Sequence, residues 1–291
     1  MPDIARRPRP LSDLSPALAR SVRGVLTDID DTLTRDGAIE PEALAALQAL
    51  RDAAIPVIAI TGRPMGWSEP FARDWPIDAI VAENGAVALF RDAQGLRIEY
   101  AQDEATRARN TLRLRRTAER VLAEVPGATL AQDSAGRITD IAIDHAEFAH
   151  LAQPKIDAVL AVMRSEGMTA TVSSIHINGW YGEHDKLSGA RWIVQRLLGR
   201  PLDAETAAWA YVGDSTNDQA MFGHFPVSVG VANLMQFADR LHTWPAYLTP
   251  SARGEGFAEL VRALLPINRA VPPAAPPAAP ASTPGTPPAA H

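Results

Sequence analysis

From about residue 22 onward, short apolar runs alternate with stretches in which apolar residues recur every three or four positions. Residues 22–27 form a strand pattern that runs straight into a cluster of aspartates. Residues 41–54 read as a helix, with Leu44, Leu47 and Leu50 spaced along one face. Residues 56–60 and 77–82 are two further apolar strands, separated by a short helix that closes at 73–75. Later the pattern resumes with a helix over 186–198 and strands over 208–212, 227–231 and 247–249. Strands this short, apolar throughout and separated by helices, predict an α/β fold: a Rossmann-like parallel sheet covered by helices on both faces.

The middle of the chain has a different rhythm. Residues 87–90 and 97–100, separated by Asp92-Ala93-Gln94-Gly95, read as a hairpin. A long charged amphipathic helix is expected over 103–124 and another helix over 154–166, with half-exposed strands over 128–131 and 138–143 and further strands over 169–172 and 175–180. This α+β block interrupts the α/β pattern. The expected organisation is therefore a leader over 1–20, a core split between 21–86 and 182–268, and an inserted cap over 87–181. From 269 to 291 the chain is almost wholly Ala, Pro, Ser, Thr and Gly, the composition of an extended, disordered tail.

Composition narrows the chemistry. The 291 residues are 46% hydrophobic and 21% charged, the balance of a globular protein with room for about two domains. The absence of cysteine excludes disulfides, thiolate metal sites and thiol catalysis. A formal net charge of −6 argues against nucleic-acid and anionic-membrane partners. Arg6, Arg7 and Arg9 are a local exception, broken up by Pro8 and Pro10. The start lacks the apolar run of a secretory signal, and residues 55–60 are far shorter than the ~18 residues of a membrane span. A cytoplasmic location is the expectation, with a small molecule as the partner and no protein partner indicated. Only Lys155 and Lys186 are lysines among 28 basic residues, so a lysine placed near other chemistry draws notice.

Four segments carry that chemistry. Thr27-Asp28-Ile29-Asp30-Asp31-Thr32 follows a strand, and in a parallel sheet ligands sit beyond the carboxyl ends of strands. Carboxylates at i and i+2 reaching one crevice repel each other unless a cation is present, and hard oxygen ligands favour Mg²⁺. An acidic turn that caps a helix is the plainer alternative. Thr61-Gly62-Arg63 also ends a strand; the hydroxyl and freed amides could hold an anion, or Thr61 could simply cap the next helix. Lys186 opens a helix, and could hold a phosphate or a carboxylate or lie in solvent. Gly213-Asp214-Ser215-Thr216-Asn217-Asp218 ends another strand, either as the second half of a cation site or as an ordinary turn.

In this order, each beside a strand end, the four segments resemble the haloacid dehalogenase superfamily of phosphatases over about residues 22–265. The insert lies between the second and third motifs, as in type II caps. Glu83-Asn84-Gly85-Ala86 and the Gly-Asp-x-x-Asn-Asp form of the fourth motif resemble subclass IIB, which holds sucrose-phosphate, trehalose-phosphate and mannosyl-phosphoglycerate phosphatases, phosphomannomutases and Cof-like phosphatases. Asp31 departs from the glycine that many members carry there.

The resemblance implies that Asp28 attacks phosphorus and that Asp30 acts as general acid and then base. It implies Mg²⁺ held by Asp28, the Asp30 backbone carbonyl and Asp214, with Asp218 in support directly or through water. Thr61, Gly62, Lys186 and Asn217 would hold phosphoryl oxygens. Asn84 at the core–cap junction and the 173–184 segment, above all Asn178, Trp180 and His184, are the expected contacts to the rest of the substrate. A small phosphate monoester, with a sugar phosphate preferred, is the expected substrate. A phosphatase for a cofactor or nucleotide and a sugar phosphomutase are the alternatives. A non-enzymatic phosphate-binding protein would be expected to have lost Asp28 or Asp30, and both stand.

Overall fold

A computed structural model describes residues 7–268; residues 1–6 and the segment expected as a tail from 269 lie outside the described residues. The core begins with β1 (Arg9–Pro10), α1 (Pro16–Ser21), β2 (Gly24–Thr27) and a small hairpin of β3 (Thr34–Arg35) and β4 (Ala38–Ile39). It continues with α2 (Pro41–Asp52), β5 (Val57–Ile60), α3 (Met65–Asp74), β6 (Ala79–Ala82), β7 (Val87–Asp92) and β8 (Gly95–Tyr100). The cap contains α4 (Glu104–Glu124), β9 (Thr129–Leu130), β10 (Asp140–Asp144), α5 (Gln153–Ser165), β11 (Thr169–Val172) and β12 (His176–Trp180). The chain then returns through α6 (Lys186–Leu198), β13 (Trp209–Gly213), α7 (Gln219–His224), β14 (Val227–Gly230), β15 (Tyr247–Leu248) and α8 (Arg253–Asn268).

Nine strands form the core sheet in the order β1-β15-β14-β13-β2-β5-β6-β7-β8. Neighbours from β1 to β6 are parallel, and β7 and β8 close the far edge as an antiparallel hairpin. Every residue of β2, β5, β6, β13 and β14 is buried, as expected for strands covered on both faces. On one face Leu47 and Leu50 of α2 and Leu260 and Leu264 of α8 pack with Val25, Val57 and Val212. On the other, Ile193 and Val194 of α6 and Phe222 of α7 pack with Leu26, Ile58 and Tyr211. The central strand β2 has β13 on one side and β5 on the other, so the three strand-end motifs open into one crevice.

Two expected boundaries move. Residues 7–20 are not a leader: β1 pairs with β15, and Leu11, Leu14 and Ala19 are buried. A proline-rich pair can still serve as an edge strand, because an edge needs only one neighbour. The 87–100 hairpin belongs to the core sheet rather than the cap. The chain reverses through Glu83, Asn84 and Gly85, all with positive φ (50°, 53° and 111°), and Val87, Ala88 and Leu89 return buried along β6. The cap therefore starts after Tyr100.

The cap is a four-stranded antiparallel sheet, β11-β12-β10-β9, whose apolar face packs with Val121 of α4 and Val159 and Met163 of α5. It is tied to the core at several points. The Glu83 carboxylate accepts from the amides of Met65, Ile138 and Thr139 and from the Thr139 hydroxyl. Thr216 donates to the Val172 carbonyl at 2.6 Å, and Arg137 to the Gly62 carbonyl at 2.9 Å. Among the described residues no helix is long and apolar enough to cross a membrane.

Candidate active site

Asp28 lies one residue beyond β2, and its amide donates to the Val212 carbonyl at 2.9 Å, prolonging the pairing with β13. Ile29 and Leu33 are fully buried, so the loop is pinned by apolar side chains while Asp28 and Asp30 project between them. Asp31 has φ 54°, the left-handed region where glycine is at ease and aspartate tolerated. The Arg253 Nε donates to its carboxylate at 2.7 Å, and Asn233 Nδ2 donates to its carbonyl at 3.0 Å. Those bonds give a physical reason for an aspartate where many relatives of the motif have glycine. Asn233 also donates to Asp214 Oδ2 at 3.1 Å and accepts from the Arg253 amide at 2.9 Å.

Asp214 follows β13, and Asp218 lies one turn further on. A Cβ on Gly213 would sit 2.5 Å from Asp218 Oδ2, so glycine there lets the Asp218 carboxylate fold back beneath the strand end. In that position Asp218 accepts from the amides of Asp214 and Ser215, both at 3.0 Å, from the Tyr211 hydroxyl, and from Lys186 Nζ at 2.7 Å. Lys186 is the first residue of α6, which Asp185 and Ser188 close with a capping box. α6 comes close enough to the Glu83–Gly85 turn that a Cβ on Gly189 would lie 2.6 Å from the Gly85 backbone. This approach carries Nζ to 2.7 Å from Asp28 Oδ1 as well.

Carboxylate oxygens of Asp28, Asp214 and Asp218 lie within 4.8 Å of one another, all buried. Burial pushes Asp28 up to about 7, against the pull of Lys186 and with the help of the Asp218 charge. Asp214 is raised well above the usual carboxylate range by burial and then by the charges of Asp28 and Asp218. Burial opposes the charge on Lys186, but Asp218 and Asp28 outweigh it and hold the ammonium above its ordinary value. Asp214 Oδ1 is buried without a hydrogen-bond partner. Three buried carboxylates thus share one ammonium, a deficit that a hard cation would fill.

Thr61 is buried at the end of β5, and its hydroxyl oxygen accepts from the Arg63 amide at 3.0 Å, leaving its own proton to donate. The Gly62 carbonyl accepts from Arg137 and, at 3.3 Å, from Asn178. Asn217 lies in the turn before α7, its amide oxygen taken by the Ser215 hydroxyl at 2.8 Å. Asn84 is buried beside Gly62, where a Cβ on that glycine would lie 3.4 Å from its side-chain atoms, and its Nδ2 has no hydrogen-bond partner.

Of the 173–184 segment expected to touch substrate, Ser174 and Ile175 line the crevice beside Asp30, whereas Asn178, Trp180 and His184 are not among the residues that wall it. Asn178 is buried and donates to Asp140 at 2.9 Å. Trp180 is buried, donates to the His184 carbonyl and stacks on its ring at 5.4 Å. Every residue of β12 is buried, and Asn178 Oδ1, beside Gly62, has no hydrogen-bond partner. The crevice of about 300 Å³ beside Asp30 is walled by Asp31, Arg63, Arg253, Glu147 and Ser174, among others.

Sequence reading passed over Arg63, Glu147, Asn233 and Arg253. Arg63 had a signal, as a cation two residues past a strand-terminal threonine. Its Nε donates to both Asp30 oxygens at 2.9 and 3.1 Å, and its far end meets Glu147 and Asp133. Although burial works the other way, bonds from His176 and Arg63 hold Glu147 down at about 2.

A sequence model of haloacid dehalogenase-like hydrolases matches residues 25–117. No match is found among the curated proteins. By structure the chain is similar to the sucrose-phosphatase of Synechocystis sp. PCC6803, solved with sucrose and phosphate: TM-score 0.59 and 17% identity over 84% of this chain and 98% of that one. It is similar to the C-terminal domain of trehalose-6-phosphate phosphatase from C. albicans: TM-score 0.61 and 14% identity over 92% of this chain and 100% of that one. A sugar phosphatase of subclass IIB aligns with TM-score 0.57 and 15% identity over 83% of this chain and 98% of that one. The chain has the haloacid dehalogenase-like hydrolase fold, and residues 25–117 are the part of it that the family's sequence model recognises.

Proposed function

We propose that the protein is a Mg²⁺-dependent phosphatase that cleaves a small phosphate monoester, a sugar phosphate by preference, through an aspartyl-phosphate on Asp28. The observation that carries this reading is the set of three buried carboxylates facing one buried ammonium at the ends of adjacent strands. The donors are hard oxygens, and one of them, Asp214 Oδ1, has no partner, so the residues fit Mg²⁺. Asp28 and Asp214 would hold the ion, with the Asp30 carbonyl. Both oxygens of Asp218 are already engaged by Lys186, Tyr211 and two amides, which suits it to orienting Lys186. When bound, the ion supplies fixed positive charge that offsets the negative charge of the phosphoryl group.

The chain's own residues then divide the work. A carboxylate oxygen of Asp28 bonds to phosphorus as the bond to the leaving oxygen breaks, and Asp30 gives that oxygen its proton. In the second half Asp30 takes a proton from water, the resulting hydroxide bonds to phosphorus, and Asp28 leaves as a carboxylate with release of phosphate. Thr61 and Lys186 hold phosphoryl oxygens, where preset donors act most strongly because they need no reorganisation. The sugar preference draws on the sucrose- and trehalose-phosphate relatives and on a crevice that mixes carboxylates, guanidiniums and a hydroxyl. The test is phosphate release from a panel of sugar phosphates, with and without Mg²⁺, by wild type and Asp28→Asn. The variant should fold and lose turnover; residual activity within about tenfold of wild type would end the covalent-aspartate reading.

A further inference from the structure

We infer that Arg63 is a positioning residue that couples docking of the cap to the orientation of Asp30; the inference rests on the phosphatase reading above. Arg63 is 4% exposed and lies on the turn after β5, in the core. Its guanidinium spans the two domains. At one end Nε donates to both oxygens of Asp30. Nη2, itself 2.9 Å from Asp30 Oδ1, donates to Glu147 Oε1 at 2.7 Å, and Nη1 donates to Asp133 Oδ2 at 3.2 Å and to Glu147 Oε2 at 3.3 Å, both carboxylates of the cap. The Trp67 ring, 4.9 Å from the guanidinium carbon, backs it from the core side.

The cap carboxylates are themselves held in place. Glu147 Oε2 lies 2.8 Å from His176 Nε2 of β12, and the Glu147 amide donates to Asp144 Oδ1 at 2.9 Å. Asp133 accepts from Arg137, which also bonds Asp140 and reaches back to the Gly62 carbonyl. A guanidinium is a planar fork, so filling its Nη end fixes the direction in which Nε points. With the cap docked, that direction is toward Asp30. With the cap lifted, both cap carboxylates leave, and only Asp30 and Trp67 remain to orient the fork. The candidate acid is thus held in line when the crevice is covered and bulk water is shut out. The same arrangement lets the cap carry Glu147 and Asp133 up to Asp30 at all, since Arg63 lies between three like charges.

The experiment compares kcat/KM, which reports steps through transfer to Asp28, for 4-nitrophenyl phosphate and phenyl phosphate. The two are similar in size, but the second leaves less readily and depends more on a proton from Asp30. Two variants are used. Arg63→Lys keeps the charge and loses the fork. Glu147→Gln keeps the shape, removes the cap-side charge, and leaves Asp28, Asp30, Thr61 and Lys186 in place. For both, the ratio of kcat/KM between the two substrates should widen by about tenfold or more, because help from a misaligned acid, normally ~10²–10⁴-fold, is lost selectively. Equal losses on both substrates, or none, would overturn the role of Arg63 in positioning. A widened ratio in Arg63→Lys with an unchanged one in Glu147→Gln would overturn the coupling to the cap. If Arg63→Lys fails to fold, Glu147→Gln alone decides between these outcomes. Failure of wild type to release phosphate from either aryl phosphate would instead count against the phosphatase reading, a result distinct from all of these.

Discussion

Lys186→Met removes one ammonium and keeps most of the side-chain volume, so its consequences follow from charge. In the folded chain Nζ lies 2.7 Å from both Asp28 and Asp218, with all three side chains at most 6% exposed. Removing one partner of a buried ion pair costs about 3–5 kcal/mol, because the other charge stays buried and uncompensated. Asp218 keeps the Tyr211 hydroxyl and two amides, so most of the cost falls on Asp28. In chelator near neutral pH, the variant should therefore melt lower by roughly 6–20 °C, at a few degrees per kcal/mol for a chain of this size. Mg²⁺ should narrow the gap, since the ion supplies part of the missing positive charge. Turnover of 4-nitrophenyl phosphate in Mg²⁺ should fall by about 10²–10³, the usual cost of losing a preset donor to the phosphoryl group. Melting curves in chelator and in Mg²⁺, beside kcat, make the test. A variant as stable as wild type in chelator would refute the charge-deficit argument. So would a loss of stability of the same size with and without Mg²⁺.

Three further outcomes are expected. Activity should vanish in excess chelator, return with Mg²⁺ and return poorly with Ca²⁺, whose larger and looser shell disturbs in-line geometry; full activity in chelator would exclude the cation. Burial and the charge of Asp140 push Glu83 up to about 7 from 4.5, so between those values the folded chain keeps a proton that the unfolded chain has lost. Its contribution to stability therefore falls as pH rises through that window, by up to about 3 kcal/mol, and Glu83→Gln should flatten the dependence of melting temperature on pH between 5 and 8; parallel curves would be the contrary result. Asp31→Gly should be nearly neutral for stability, because loss of the Arg253 pair is offset by relief of the φ 54° conformation, whereas Asp31→Ala loses the pair and keeps the strain, at about 1–2 kcal/mol; equal melting shifts would remove the account given for this position.

The strand-end motifs were legible because a parallel sheet imposes them. A strand buried on both faces must be apolar to its last residue, so polar groups with a task cluster just beyond it, as Asp28, Thr61 and Asp214 do. Helix α6 was read to the residue, since its leucines and isoleucine repeat at helical spacing and Gly199, at φ 64°, ends it. Pairing partners were not legible. The 87–100 hairpin showed its turn but not which sheet it would join, and Leu11 and Leu14 had no periodic company to mark them as core. Contacts across long separations left no local trace either: Arg63 and Glu147 are 84 residues apart, and Arg253 and Asp31 are 222. The polar and aromatic mixture of 176–184 also has a structural use. Asn178 and Trp180 carry polar atoms because buried backbone carbonyls, those of Gly62 and His184, need donors.

These placements change where discrimination between substrates must arise. The groups that would touch the phosphoryl oxygens and the cation see the same chemistry in every monoester. The crevice beside Asp30 meets the cap at residues 146–148 and at Ser174 and Ile175, the loops after β10 and before β12. The Ser174 hydroxyl is buried there without a partner, the state of a group that a ligand hydroxyl could satisfy. The core wall of the same crevice includes Arg253 and Asp31, held by a contact that a glycine at position 31 could not make. The crevice therefore runs along a seam between core and cap, with one wall on cap loops and the other anchored through Asn233 to Asp214.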